Sequence, residues 1–253
     1  MRQSIGGLWV FGIVGLLLAG QAAAEPRPAA PLVDVTDVAI GRGHSCALTG
    51  SGVARCWGAN ETGQLGLGDS SALTIRAYPI EVPGLPRNLL AIASGSEHSC
   101  VITAERALKC WGLNGAGALG NDSALYQIPT PVDVLGLLGP VTAVVGGAEH
   151  SCAILLDGRV QCWGKNANGQ LGDGSNSDRR TAVLVQALPA AAIRLSAGGN
   201  HSCAQLGNGE TWCWGANEYG QLGDNTQVDR NLPVKVQGLP RGGRALAAAL
   251  NAS

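Results

Sequence analysis

Lysine is almost missing from this sequence: of 253 residues, only Lys109, Lys165 and Lys235 carry it. There is no basic run, and the formal net charge is −1. The electrostatic footprint by which proteins hold nucleic acid is therefore absent. Phenylalanine occurs once and tyrosine three times, so aromatic residues are sparse. Beyond the first 24 residues no apolar run approaches the roughly 20 residues of a membrane-spanning helix. Nor do apolar residues recur at helical spacing over any length. What the chain does have is glycine, 38 residues of it, placed between short alternating apolar segments. That pattern points to an all-β chain.

The first 24 residues read differently. Arg2 gives a positive start, Leu8 to Leu18 an apolar run, and Ala22-Ala23-Ala24 small residues ahead of Glu25. This is the layout of a secretory signal cut after Ala24. Loss of Arg2 then moves the net charge from −1 to −2. Residues 25–31 read as an exposed linker. The expectation is an exported protein, secreted or held in the periplasm or cell envelope, with no membrane span after cleavage.

The rest is one unit written four times. HSCALTGSGVARCWGANETGQLG (44–66) recurs as HSCVITAERALKCWGLNGAGALG (98–120), HSCAILLDGRVQCWGKNANGQLG (150–172) and HSCAQLGNGETWCWGANEYGQLG (201–223). Each copy follows an alternating apolar segment and precedes a polar loop and a short strand-like piece. Units of approximately 35–88, 89–139, 140–190 and 191–240 each supply four strands. Four strands in about 50 residues is the signature of a β-propeller blade.

The repeat resembles that of the regulator of chromosome condensation family, whose hallmark is Trp-Gly-x-Asn-x-x-Gly-Gln-Leu-Gly after a hairpin. Residues 57–66, 163–172 and 214–223 carry it, while the second copy has Ala118 where the others have Gln. The resemblance covers about residues 32–240 and implies a β-propeller of four-stranded blades. The family's usual ring has seven blades, so four repeats imply an incomplete propeller. A shorter closed ring, an open arc, pairing of two chains and a truncated copy all stay open. Residues 241–253 resemble the start of a fifth repeat.

The eight cysteines pair within units: Cys46 with Cys56, Cys100 with Cys110, Cys152 with Cys162, and Cys203 with Cys213. If each pair spans a hairpin, the third unit closes on residues 155 and 159, with Leu156, Asp157 and Gly158 as the loop. Three-residue loops favour glycine at the last, left-handed position. Gly52, Gly158 and Gly209 stand there, and Arg106 departs. Counting outward places each cysteine pair at a non-hydrogen-bonded position, where side chains approach closely and a disulfide fits. The rival reading, metal held by His-x-Cys and the later Cys, lacks the close Cys-x2–4-Cys spacing of zinc sites. Disulfides that staple each hairpin are the expectation, with no metal and no cofactor.

His44, His98, His150 and His201 recur at one repeat position, as do Trp57, Trp111, Trp163 and Trp214. A catalytic histidine is needed once, beside a unique partner, so recurrence assigns these residues to blade construction. Gly-Gln-Leu-Gly could suggest a phosphate loop, but no helix follows it. Asn60, Asn121 and Asn200 fit the N-glycosylation pattern, and Asn60 also belongs to the repeat.

Specificity is expected in the loops that vary between units, with Tyr126, Asp178, Arg179, Arg180, Tyr219, Asp229 and Arg230 as candidate contacts. These observations favour a non-catalytic scaffold binding an unknown protein or surface glycan, with self-association as a further way to complete the propeller. Three alternatives accompany it: a guanine-nucleotide-exchange-type regulator, which the resemblance implies, a polysaccharide-acting propeller enzyme, and a truncated copy without function.

Overall fold

The computed structural model describes residues 32–70, 75–240 and 247–248. The signal and linker readings at 1–31 lie outside these residues, as does all of the tail at 241–253 except Ala247 and Ala248. Among the described residues, no helix is long and apolar enough to cross a membrane.

Sixteen strands form four antiparallel sheets, one per repeat, each in sequence order. The first is β1 (Val35–Ile40), β2 (His44–Thr49), β3 (Ala54–Gly58) and β4 (Arg76–Glu81). The second is β5 (Ala91–Ser94), β6 (His98–Ile102), β7 (Leu108–Leu113) and β8 (Gln127–Asp133). The third is β9 (Val141–Gly146), β10 (His150–Leu155), β11 (Val160–Gly164) and β12 (Arg179–Leu184). The fourth is β13 (Ala192–Ala197), β14 (His201–Leu206), β15 (Thr211–Gly215) and β16 (Arg230–Lys235). These are propeller blades. Inner strand β1 packs on β5, β5 on β9, and β9 on β13. The four sheets do not close into a ring.

The hairpin between second and third strands follows the expected register. In the third unit Leu155 N donates to Arg159 O and Gly158 N to Leu155 O, both within 2.9 Å. Gly52, Gly158 and Gly209 all have positive φ, and Arg106 adopts the same left-handed conformation at 61°. The cysteines face each other across the hairpin, with Cα atoms 4.0–4.1 Å apart. The disulfides are Cys46–Cys56, Cys100–Cys110, Cys152–Cys162 and Cys203–Cys213.

The cysteines do more than the hairpin reading assigned to them. Cys110 has no solvent exposure, and the other seven are buried as well. Cys100 and Cys110 belong to a core cluster that also holds Val144, Ala153 and Trp163 of the third unit. Cys46 and Cys56 pack with the second unit in the same way, and Cys152 and Cys162 with the fourth. The reading of Cys110 and its counterparts as staples is therefore incomplete. Each disulfide also fills apolar volume between its blade and the next, because its side chains leave the sheet toward that blade.

A bulge follows each disulfide. The pairing of β3 with β4 jumps between Cys56 and Gly58, that of β7 with β8 between Cys110 and Gly112, and the last two blades shift at the same place. The residue skipped is the tryptophan. The glycine after it has φ between 102° and 107° in all four units, a conformation L side chains rarely adopt. A methyl group on Gly58 would also overlap the Gly43 carbonyl. Trp-Gly is thus a bulge in the pairing of the third and fourth strands of every blade.

The hydrophobic core lies between blades. One cluster joins Leu48, Leu65 and Val82 of the first unit to Ile92, Val101 and Trp111 of the second. Two further clusters bridge units two to three and three to four. The fourth holds Cys203, Cys213 and Leu222, all from the last unit.

Candidate functional site

His-Ser-Cys begins the second strand of every blade, and strand geometry sends its side chains in opposite directions. Successive residues point to opposite faces. The histidine and cysteine therefore face the following blade, while the serine faces the preceding one. His44 Nε2 lies 2.9 Å from Ser99 Oγ, His98 Nε2 2.8 Å from Ser151 Oγ, and His150 Nε2 2.9 Å from Ser202 Oγ. Each of these serines also donates to a main-chain carbonyl of the preceding unit. The acceptors are Gln64, Ala118 and Gln170, at 3.0–3.1 Å.

The tryptophan completes the joint. Paired across the hairpin with its serine, it faces the same way and reaches the same oxygen. Trp111 Nε1 donates to Gln64 O, Trp163 to Ala118 O and Trp214 to Gln170 O, at 2.8–2.9 Å. One carbonyl thus accepts two bonds from the next blade. Because the main chain is the acceptor, the Gln-to-Ala departure at residue 118 leaves the joint intact.

The hydrogen bonds fix the histidine protonation. Each serine gives its only proton to a carbonyl, so its oxygen must accept from Nε2–H. No partner faces Nδ1 in any of the four rings. His44, His98 and His150 abut Gly41, Gly95 and Gly147 of their own units. Protonating Nδ1 would bury a donor with nothing to accept from it. Burial lowers His44 to a pKa of about 4 and His98 and His150 to about 3, with neighbouring histidines adding to the shift of the latter two. Burial also lowers His201. A neutral imidazole already carrying Nε2–H cannot take the serine proton. The His–Ser pairs are therefore built for cohesion between blades.

The repeated asparagine ties down the glycine turn and the loop after it. Oδ1 of Asn60, Asn114, Asn166 and Asn217 accepts from Leu65, Leu119, Leu171 and Leu222 N, at 2.9–3.1 Å. Their Nδ2 groups donate to loop carbonyls, Asn217 to Thr226 O and Val228 O among them. Asn60 is fully buried, so the folded chain offers no acceptor amide for a glycan there.

The seven candidate contact residues divide. Asp178 accepts from Asn166 N at 2.8 Å and Asp229 from Asn217 N at 2.7 Å. Arg179 and Arg230 each pair at 2.9 Å with an aspartate, Asp173 and Asp224, whose side chain is nearly buried. Burial pushes the Asp224 carboxyl up, but bonds from Thr226, Arg230 and Asn217 outweigh it and hold the pKa at about 2. These four residues are bonded into their own loops, and Asp229 also accepts from Asn168 Nδ2 of the third unit at 2.8 Å. Tyr126, Arg180 and Tyr219 remain exposed. The tyrosines are 65% and 73% exposed; Leu125, at 64%, precedes Tyr126, and Val228, at 59%, belongs to the same loop as Tyr219. Both loops join a third strand to a fourth, so they leave the same edge of their blades.

Comparison with known proteins settles the relationship. An RCC1-like domain family matches residues 5–252. The chain belongs to the RCC1-like family. It is 30% identical over 236 residues to the ultraviolet-B receptor UVR8 of Arabidopsis thaliana, covering 90% of this chain and 53% of the receptor. It is 33% identical over 209 residues to the human E3 ubiquitin-protein ligase HERC2, covering 81% of this chain and 4% of the ligase. Among solved structures, human WBSCR16 superposes with a TM-score of 0.75 at 24% identity, over 85% of this chain and 56% of that one. Yeast RCC1 (Prp20) bound to Kap60 gives 0.73 at 22%, over 83% and 50%. The chain spans about half the length of these two structures and of the receptor, and the structural likeness shows the fold alone.

The joint serines, Ser99, Ser151 and Ser202, carry as much of the inter-blade contact as the histidines do. The available signal was their recurrence in every His-Ser-Cys.

Proposed function

We propose that the protein is an exported, non-catalytic propeller scaffold that binds another protein through the loops between third and fourth strands. One observation carries this reading. The recurring polar residues are consumed in holding blades together, whereas the exposed aromatic pair, Tyr126 and Tyr219, occurs once each on loops that differ between units. Exposed tyrosines beside apolar neighbours are typical of protein contact surfaces. Four disulfides fit an oxidising compartment outside the cytoplasm. Yeast RCC1, a structural neighbour, is captured with a protein partner, which supports protein over glycan as the ligand class.

The test uses the immobilised protein and the extracellular fraction in which it occurs, with a Tyr126→Ser/Tyr219→Ser variant beside it. A protein retained by the parent and weakened at least about tenfold on the variant, the effect of losing one good aromatic contact, supports the reading. Equal retention on both, or retention of polysaccharide alone, contradicts it.

A further inference from the structure

Among the described residues, the two outer blade faces carry the two unmatched halves of the joint that is made three times inside the molecule. The first blade faces outward with the donor half. Ser45 and Trp57 are half-buried there, while their counterparts at the three joints, Ser99, Ser151 and Ser202 with Trp111, Trp163 and Trp214, are fully buried. Val38 is 52% exposed, whereas Ile92 and Val144, at the same repeat position in the next two blades, are 6% and 8% exposed against a preceding unit.

The fourth blade faces outward with the acceptor half. His201 has no serine against Nε2, and no tryptophan reaches the Gln221 carbonyl, among the described residues. Gly66, Gly120 and Gly172 each lie between a valine of their own unit and the tryptophan of the next. The matching Gly223 has Val236 alone beside it. Val82, Val134 and Val185 are buried beneath those tryptophans, and Val236 is only half-buried.

We propose that the first-blade face of one copy docks on the fourth-blade face of a second copy of this chain, rebuilding the internal joint between molecules. Trp57 then covers Gly223 and Val236 and donates to Gln221 O, Ser45 meets His201, and Val38 packs as Ile92 does. The occupant is set by continuity with the three joints already present, which supply the hydrogen-bonding geometry, and Ile40 stands where they have Ser94, Gly146 and Ala197. Such contacts are heterologous, with different patches meeting on the two copies. Ala248 N donates to Ser196 Oγ in β13, on the strand where a following unit's inner strand would pack, and docking must replace that bond.

Sedimentation equilibrium of the purified protein from about 1 to 100 µM, a range that resolves micromolar association, tests this with two variants. Trp57→Arg blocks the first-blade face and Val236→Arg the fourth-blade face. The parent should self-associate, and each variant alone should weaken at least about tenfold. An equimolar mixture should recover one-to-one pairs and nothing larger, because each partner keeps the half that the other has lost. Ile40→Arg, at a residue already 71% exposed on the first-blade face, repeats the block at a site the monomer fold does not bury. A parent that stays monomeric throughout, variants that still self-associate, or a mixture that fails to pair would each overturn the proposal.

Discussion

Among the described residues, the second and third blades have a blade on both sides, and the first and fourth on one. The same sequence pattern therefore occurs in two environments within one molecule. At the joint between the third and fourth blades, His150, Ser202, Trp214 and the Gln170 carbonyl form a closed, buried set. On the outer faces Ser45, Trp57, His201 and Gln221 have the same chemistry without the neighbour. The repeat thus encodes a contact as well as a blade. The value of each repeated residue depends on whether the next blade is there.

Acid should expose this difference most strongly. The histidines at the joints have depressed folded-state pKa values, so below pH 6.5 the unfolded chain takes up protons that the folded chain refuses. Stability from these groups is fully present above about pH 6.5 and is lost as the pH falls toward their folded values of about 3 to 4. Between pH 8 and pH 5 the loss is about 2 kcal/mol for each of His44, His98 and His150, read by urea unfolding at the two pH values. A flat profile would break the comparison.

The tryptophans come next. Trp163→Ala should destabilise by about 3–5 kcal/mol, as expected for emptying a buried aromatic site. Trp57→Ala, at a half-buried indole, should cost less than half as much by the same measurement. Replacing both Cys152 and Cys162 by serine should remove more than the loop-closure value of about 2–3 kcal/mol for a ten-residue separation, because it also leaves two hydroxyls in the apolar volume between blades. The smallest effect sharpens the contrast. Ser151→Ala should cost about 1–3 kcal/mol by leaving buried partners unpaired, whereas Ser45→Ala, half-buried and with no joint partner among the described residues, should lie within about 0.5 kcal/mol of the parent.

The blade was legible in the sequence because its devices are local. The cysteine spacing and the glycines at 52, 158 and 209 set the hairpin register, and Arg106 adopts the same left-handed turn without a glycine to announce it. The place of Cys110 and its counterparts in the core between blades was not legible, because spacing along a hairpin does not say which face meets a neighbour. The carbonyl that each joint tryptophan meets was less accessible still, because it lies in the preceding unit, 44–47 residues away. The joint serines were overlooked for a different reason. Serine is common, and each partner histidine lies 52–55 residues away. Asp178, Arg179, Asp229 and Arg230 stood out as loop charges. Yet GDGSNSDRR and GDNTQVDRN repeat the same Asp and Asp-Arg positions, and those positions close the loop on itself. Tyr126 and Tyr219 have no counterparts in the other units, which is why their exposure carries information.

The account rests on histidines that hold blades together as neutral donors. Nitrogen-15 NMR of the imidazole rings across pH 8 to 5, a span that brackets the ordinary histidine pKa, tests this most directly. His44, His98 and His150 should keep a single proton on Nε2 and show no titration. Any of the three found protonated on Nδ1 instead, or charging near pH 6.5, would contradict it.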